Sequence, residues 1–85
     1  MVRTFAAIDV GSFELELGIY EITDKGNVRT VDQVKHMIAL GKDTYNTGKI
    51  SYRLVEEMCQ VLEEFVQIMK SYKVKDYRAY ATSAM

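Results

Sequence analysis

The 85-residue sequence predicts an α/β fold in the order β-β-β-α-β with a mixed sheet, and three observations carry that prediction. Residues 13–20 alternate strictly. Phe13, Leu15, Leu17 and Ile19 fall on one side and Glu14, Glu16, Gly18 and Tyr20 on the other, the period of a half-buried strand. From Tyr52 to about Tyr72 the apolar spacing changes to steps of three and four. Leu54, Val55, Met58, Val61, Leu62, Phe65, Ile68, Met69 and Tyr72 then form one stripe of a helix. Finally, short runs at Phe5–Val10 and Tyr77–Thr82 bracket those elements, and a strand returned by a helix can lie parallel to the first through a right-handed crossover.

Each element has a local justification. Phe5 to Val10 is an apolar run closed by an acid and a glycine, which suits a strand covered on both faces. After the alternating strand, Asp24-Lys25-Gly26-Asn27 supplies hairpin chemistry, because Gly and Asn tolerate positive φ. A third, more polar strand is expected from Val28 to about Leu40, interrupted by a bulge because that stretch exceeds the usual strand length. Gly41–Lys49 reads as a loop rich in Gly, Asn, Asp and Thr. Ser51 follows as an N-cap whose hydroxyl accepts from a backbone N–H of the first turn. Lys73 and Lys75 lie at the helix exit, where cations favour the negative end of the macrodipole.

Composition narrows the function. Hydrophobic residues make up 48% and charged residues 27%, a balance that excludes disorder. Eleven Lys and Arg face twelve Asp and Glu with no block of one sign, so the basic stripe of a nucleic-acid binder is absent. The six tyrosines are scattered, without the basic groove that base stacking accompanies. No apolar run reaches the roughly 18 residues of a membrane span, and the first residues lack the charged and apolar regions of a signal peptide. One cysteine, Cys59, permits no internal disulfide. These features point to a cytoplasmic protein without membrane or nucleic-acid partners.

The segment with chemistry is Asp9-Val10-Gly11-Ser12, between the first two strands. An acid at the end of a buried strand needs a cation or a donor network. A glycine behind it lets backbone N–H groups approach an anion, and a serine adds a hydroxyl donor. Asp9 does not favour a bare phosphate, so a divalent ion or its waters would stand between them, Mg²⁺ being the usual choice. The same four residue types also make an ordinary hairpin turn.

This segment, preceded by Ala6-Ala7-Ile8, resembles the first phosphate loop of the actin/Hsp70/sugar-kinase superfamily. Leu40-Gly41 with Thr47-Gly48-Lys49-Ile50-Ser51, and then Ala81-Thr82-Ser83-Ala84 after the helix, are similar in order and spacing to segments of the exopolyphosphatase / guanosine pentaphosphate phosphohydrolase (Ppx/GppA) family. The resemblance covers nearly the whole chain. It implies a partial actin-like ATPase (ribonuclease H-like) domain, with residues 1–85 forming an incomplete first domain. It further implies a parent hydrolase that cleaves terminal phosphoanhydride bonds of polyphosphate or pppGpp with Mg²⁺. By the same resemblance Asp9, Gly11, Ser12, Thr82 and Ser83 would bind phosphate and Asp9 would meet the metal, directly or through water. The family's catalytic glutamate, its second Gly-rich loop and a phosphate-contacting arginine would lie beyond Met85, so no catalytic residue is expected in the chain itself.

Two positions depart from the family pattern. Phe13-Glu14 stands where the family has Asn-Ser, and Ala39 stands where an arginine is frequent. Period two points Phe13 toward the core and Glu14 away from it. The alternatives are a sugar-kinase or activator ATPase of the same fold, which shares only the first loop, and a non-catalytic interaction module. Elsewhere, Glu14 and Glu16 lie about 7 Å apart on one strand face, as an acid/base pair or simply a solvated face. His36 has no partner at metal spacing, and Cys59 reads as a core or boundary residue of the helix. A four-stranded sheet covered by one helix would leave an apolar face open, so self-association or a homodimer is expected.

Overall fold

The computed structural model describes residues 2–11, 13–38 and 51–81. Strands β1 (Arg3–Val10), β2 (Glu14–Ile22) and β3 (Val28–Met37) precede helix α1 (Tyr52–Ser71) and strand β4 (Asp76–Ala81), as the sequence predicts. The sheet order is β3-β2-β1-β4. β2 runs antiparallel to β1 and β3, whereas β4 lies parallel to β1. The sheet is therefore mixed, with β1 and β2 central. Consequently the carboxyl ends of β1 and β4 lie at the same edge.

The β2–β3 hairpin closes through Thr23, whose carbonyl accepts from the Gly26 N–H and whose N–H donates to the Asn27 carbonyl, both at 2.9 Å. Gly26 takes φ 83°, which glycine adopts without a Cβ penalty. The expected bulge is present: Ile19 pairs with Asp32 and Tyr20 with Thr30, leaving Val31 as the extra residue of β3. β3 ends at Met37, short of Leu40, and the loop expected at Gly41–Lys49 lies outside the described residues.

The core lies between α1 and one face of the sheet. Ala6 and Ile8 of β1, with Leu15, Leu17 and Ile19 of β2, are buried against Val61, Phe65 and Met69 of the helix. The other face of the sheet carries no helix among the described residues, so β1 is covered on one side, with Phe5, Ala7 and Asp9 only half-buried. Two sequence expectations fail for geometric reasons. Cys59 is exposed, because at about 100° per residue it sits roughly 120° around the helix from Phe65, off the stripe. Phe13 is 52% exposed, because β2 begins at Glu14 and Phe13 belongs to the bend before it, beyond the reach of strand alternation.

Both ends of α1 follow sequence logic. The Ser51 hydroxyl accepts from the Leu54 N–H at 3.3 Å, as an N-cap does. At the exit, Val74 N–H reaches the Met69 carbonyl and Lys73 N–H the Lys70 carbonyl, both at 3.1 Å, the paired bonds of a Schellman end. Lys73 occupies the left-handed position at φ 56°, where a side chain costs free energy. Lys73→Gly should raise the midpoint of chemical denaturation, by about 0.5–1 kcal/mol in unfolding free energy, against an unchanged denaturant slope.

Polar contacts tie the helix to β3 on either side of the apolar core. Near its start, Glu57 Oε2 lies 3.5 Å from His36 Nε2. Near its end, the Tyr72 hydroxyl donates to Asp32 at 2.8 Å, and this bond holds the phenol above its ordinary pKa, since ionisation would break it and set two anions together.

Candidate functional site

On the sheet face turned away from α1, strand register aligns side chains in rows. Tyr80, Asp9, Glu16 and Lys35 form the row across all four strands that lies nearest the β1–β2 turn, with the pair Glu14 and Met37 beyond it. Arg78, Ala7, Gly18 and Gln33 form the next; Asp76, Phe5, Tyr20 and Thr30 form the third. The third row is held by stacking of Phe5 on Tyr20, with ring centroids 5.2 Å apart. Tyr20 folds back over Gly18, so that a Cβ at position 18 would run into its ring. The middle of the face is thus floored by Ala7 and the bare backbone of Gly18.

Asp9 is half-buried, one residue before the end of β1, and its register neighbours are Glu16 on β2 and Tyr80 on β4. The turn that follows is built by Gly11, whose N–H donates to the Glu14 carbonyl at 2.9 Å. That bond uses the Gly11 donor to close the turn, so the glycine's contribution to an anion would be its missing side chain. The Phe13 carbonyl accepts from Ile38 at 2.9 Å, which anchors the turn to the end of β3. Phe13 N–H has no acceptor among the described residues. Ser12, Thr82 and Ser83 lie outside the described residues, but β4 brings Ala81 beside Val10, at the edge where Thr82 follows in sequence.

The carboxylates on this face differ in their surroundings. Glu16 is met by Lys35 across β2–β3, with Nζ 3.4 Å from Oε2. Glu14 faces Met37 in the register and has no cation partner among the described residues. Glu14 and Glu16 therefore sit in different settings, one opposite an uncharged side chain and the other beside a lysine. No group of three or more His, Cys, Asp or Glu close enough to hold a metal occurs among the described residues. An oxygen-seeking ion that keeps most of its own waters, such as Mg²⁺, fits a site built around a single carboxylate better than an ion needing a full protein cage.

Sequence reasoning missed Tyr80, Lys35 and Arg78, which reach this face only through strand pairing. At the far end of the sheet, Val2, Phe5, Ile22 and Tyr77, rimmed by Arg3 and Lys75, line a hollow of about 610 Å³. Among the described residues, no helix is long and apolar enough to cross a membrane.

A mixed sheet of order β3-β2-β1-β4 with a crossover helix, and a glycine turn after the first strand, defines the opening of an actin-like α/β domain. Among solved structures, the crystal structure of the Aquifex aeolicus member of the Ppx/GppA family matches 99% of this chain at 31% identity with a TM-score of 0.92. An exopolyphosphatase from Cytophaga hutchinsonii matches 96% at 26% identity with a TM-score of 0.87. The chain spans about a quarter of the length of these proteins, 27% and 26% respectively. No family model matches the chain, and no curated protein does. Over its own length the chain has the fold of the amino-terminal part of the actin-like Ppx/GppA proteins.

Proposed function

We propose that this chain forms one wall of a cleft that binds a polyphosphate chain or a guanosine polyphosphate as its Mg²⁺ complex, in a protein that hydrolyses terminal phosphoanhydride bonds. The observation that carries this reading is the position of Asp9, half-buried at the shared carboxyl edge of β1 and β4 beside the Gly11 turn. In open α/β sheets, ligands collect in the crevice outside the carboxyl ends of the parallel strands. Asp9 would hold the ion through its waters, Ser12 would donate its hydroxyl to a phosphate oxygen, and Gly11 would leave room for close approach. Thr82 and Ser83, following β4, would supply donors on the same edge. Mg²⁺ would neutralise phosphate charge and orient the terminal group for in-line attack. The water-positioning base and the second phosphate loop are not among these residues, so binding is the activity assigned to this chain. Self-association would use the apolar hollow at the opposite end of the sheet, leaving this edge free.

Calorimetric titration of the chain with inorganic tripolyphosphate and Mg²⁺ is expected to give saturable binding, weakened by competing pppGpp. Absence of heat at millimolar ligand would refute the reading.

A further inference from the structure

Beside the proposed phosphate turn stands one carboxylate, Glu14, that has no cation partner among the described residues. Glu14 opens β2, and its own carbonyl closes the turn by accepting from Gly11. Its side chain is half-buried and, by strand alternation against buried Leu15 and Leu17, projects to the face that carries Asp9 and Glu16. Glu16 has Lys35 at 3.4 Å, whereas the residue opposite Glu14 is Met37, which brings no charge.

We infer that Glu14 is a specificity residue that excludes metal-free phosphate anions from the turn and admits only phosphate chains already carrying a divalent cation. The inference rests on the proposed phosphate role of Asp9 to Ser12. The physical reason is charge. A tripolyphosphate approaching the turn without a cation meets the Glu14 carboxylate in a partly desolvated setting where repulsion is stronger than in water. A bound Mg²⁺ would lower the ligand's negative charge and offer a cation to the carboxylate, which offsets that repulsion. Glu14 need not ligate the ion to have this effect. A single charge about 8 Å from the ligand, at an effective dielectric between the interior and water values, changes affinity roughly tenfold.

The test titrates inorganic tripolyphosphate into the wild-type chain and into Glu14→Gln, each with Mg²⁺ and with EDTA, after circular dichroism has shown both to be folded. Glu63→Gln, on the outward face of α1, removes the same net charge far from the turn and serves as the reference. For the wild type, binding should be weaker in EDTA than in Mg²⁺. In Glu14→Gln the metal-free affinity should rise roughly tenfold, contracting the ratio between the two conditions, while Glu63→Gln leaves that ratio unchanged. If the wild type binds with Mg²⁺ but Glu14→Gln keeps its ratio, or if Glu63→Gln contracts it equally, the role of Glu14 is overturned while the phosphate turn stands. If the wild type binds no tripolyphosphate in either condition, both readings fall together.

Discussion

Phe65→Ala is expected to lower the unfolding free energy by about 3–5 kcal/mol, the largest effect of any single truncation in this chain. Phe65 is 1% exposed and is the largest fully buried side chain among the described residues, projecting from the middle of α1 into the cluster of Ala6, Ile8, Leu15, Leu17 and Ile19. Among the described residues α1 alone covers this face, so the space a truncation leaves is not readily filled by a second layer. A chain of this length has about 4–13 kcal/mol of total stability by the usual per-residue range. The loss therefore removes a large share of the margin, and the variant should melt at a much lower urea concentration, followed by far-UV circular dichroism. A shift corresponding to less than about 1 kcal/mol would mean that α1 does not anchor on the sheet as described.

The second large effect concerns binding. Asp9→Asn preserves shape and removes one charge at the shared edge of β1 and β4. If the carboxylate holds Mg²⁺ through its waters, affinity for Mg²⁺-tripolyphosphate should fall about 10–100-fold, the range seen when a group that orients a metal's ligands is lost. Far-UV circular dichroism should show the fold retained, since the side chain lies on the sheet face away from α1. Unchanged affinity in a folded Asp9→Asn would remove the carboxylate from the site. Glu14→Gln moves metal-free binding in the opposite direction, so the two variants separate a metal-holding carboxylate from an excluding one.

Local physics made most of the fold legible. The stripe from Leu54 to Met69, the Ser51 cap and the glycine of the β2–β3 turn are all set by neighbours within a few residues, and each is found where the pattern puts it. Phe13 misled because strand alternation was extended one residue past the strand, where the chain is already bending toward Gly11. Cys59 misled because adjacency to Met58 along the chain is not adjacency on a helix surface. The contacts between α1 and β3, Glu57 to His36 and Tyr72 to Asp32, were illegible for another reason. They join positions far apart in sequence, and no local periodicity encodes which acid meets which partner.

The candidate site divides in the same way. Asp9 and Gly11 stand out because an acid and a glycine at the end of an apolar run are a local signal. The neighbours that give Asp9 its setting, Glu16 and Tyr80, come from two other strands and become visible only with the register. The pairing of Glu16 with Lys35, which sets Glu16 apart from Glu14, likewise depends on the β2–β3 alignment and its bulge at Val31.

The most direct measurement is a ¹⁵N–¹H titration of the folded chain with Mg²⁺-tripolyphosphate. The account predicts that the largest amide shifts fall on Asp9, Gly11, Phe13 and Glu14, with Tyr80 and Ala81 following on the neighbouring strand. Shifts concentrated instead at Val2, Ile22 and Lys75, around the hollow at the opposite end of the sheet, would contradict it.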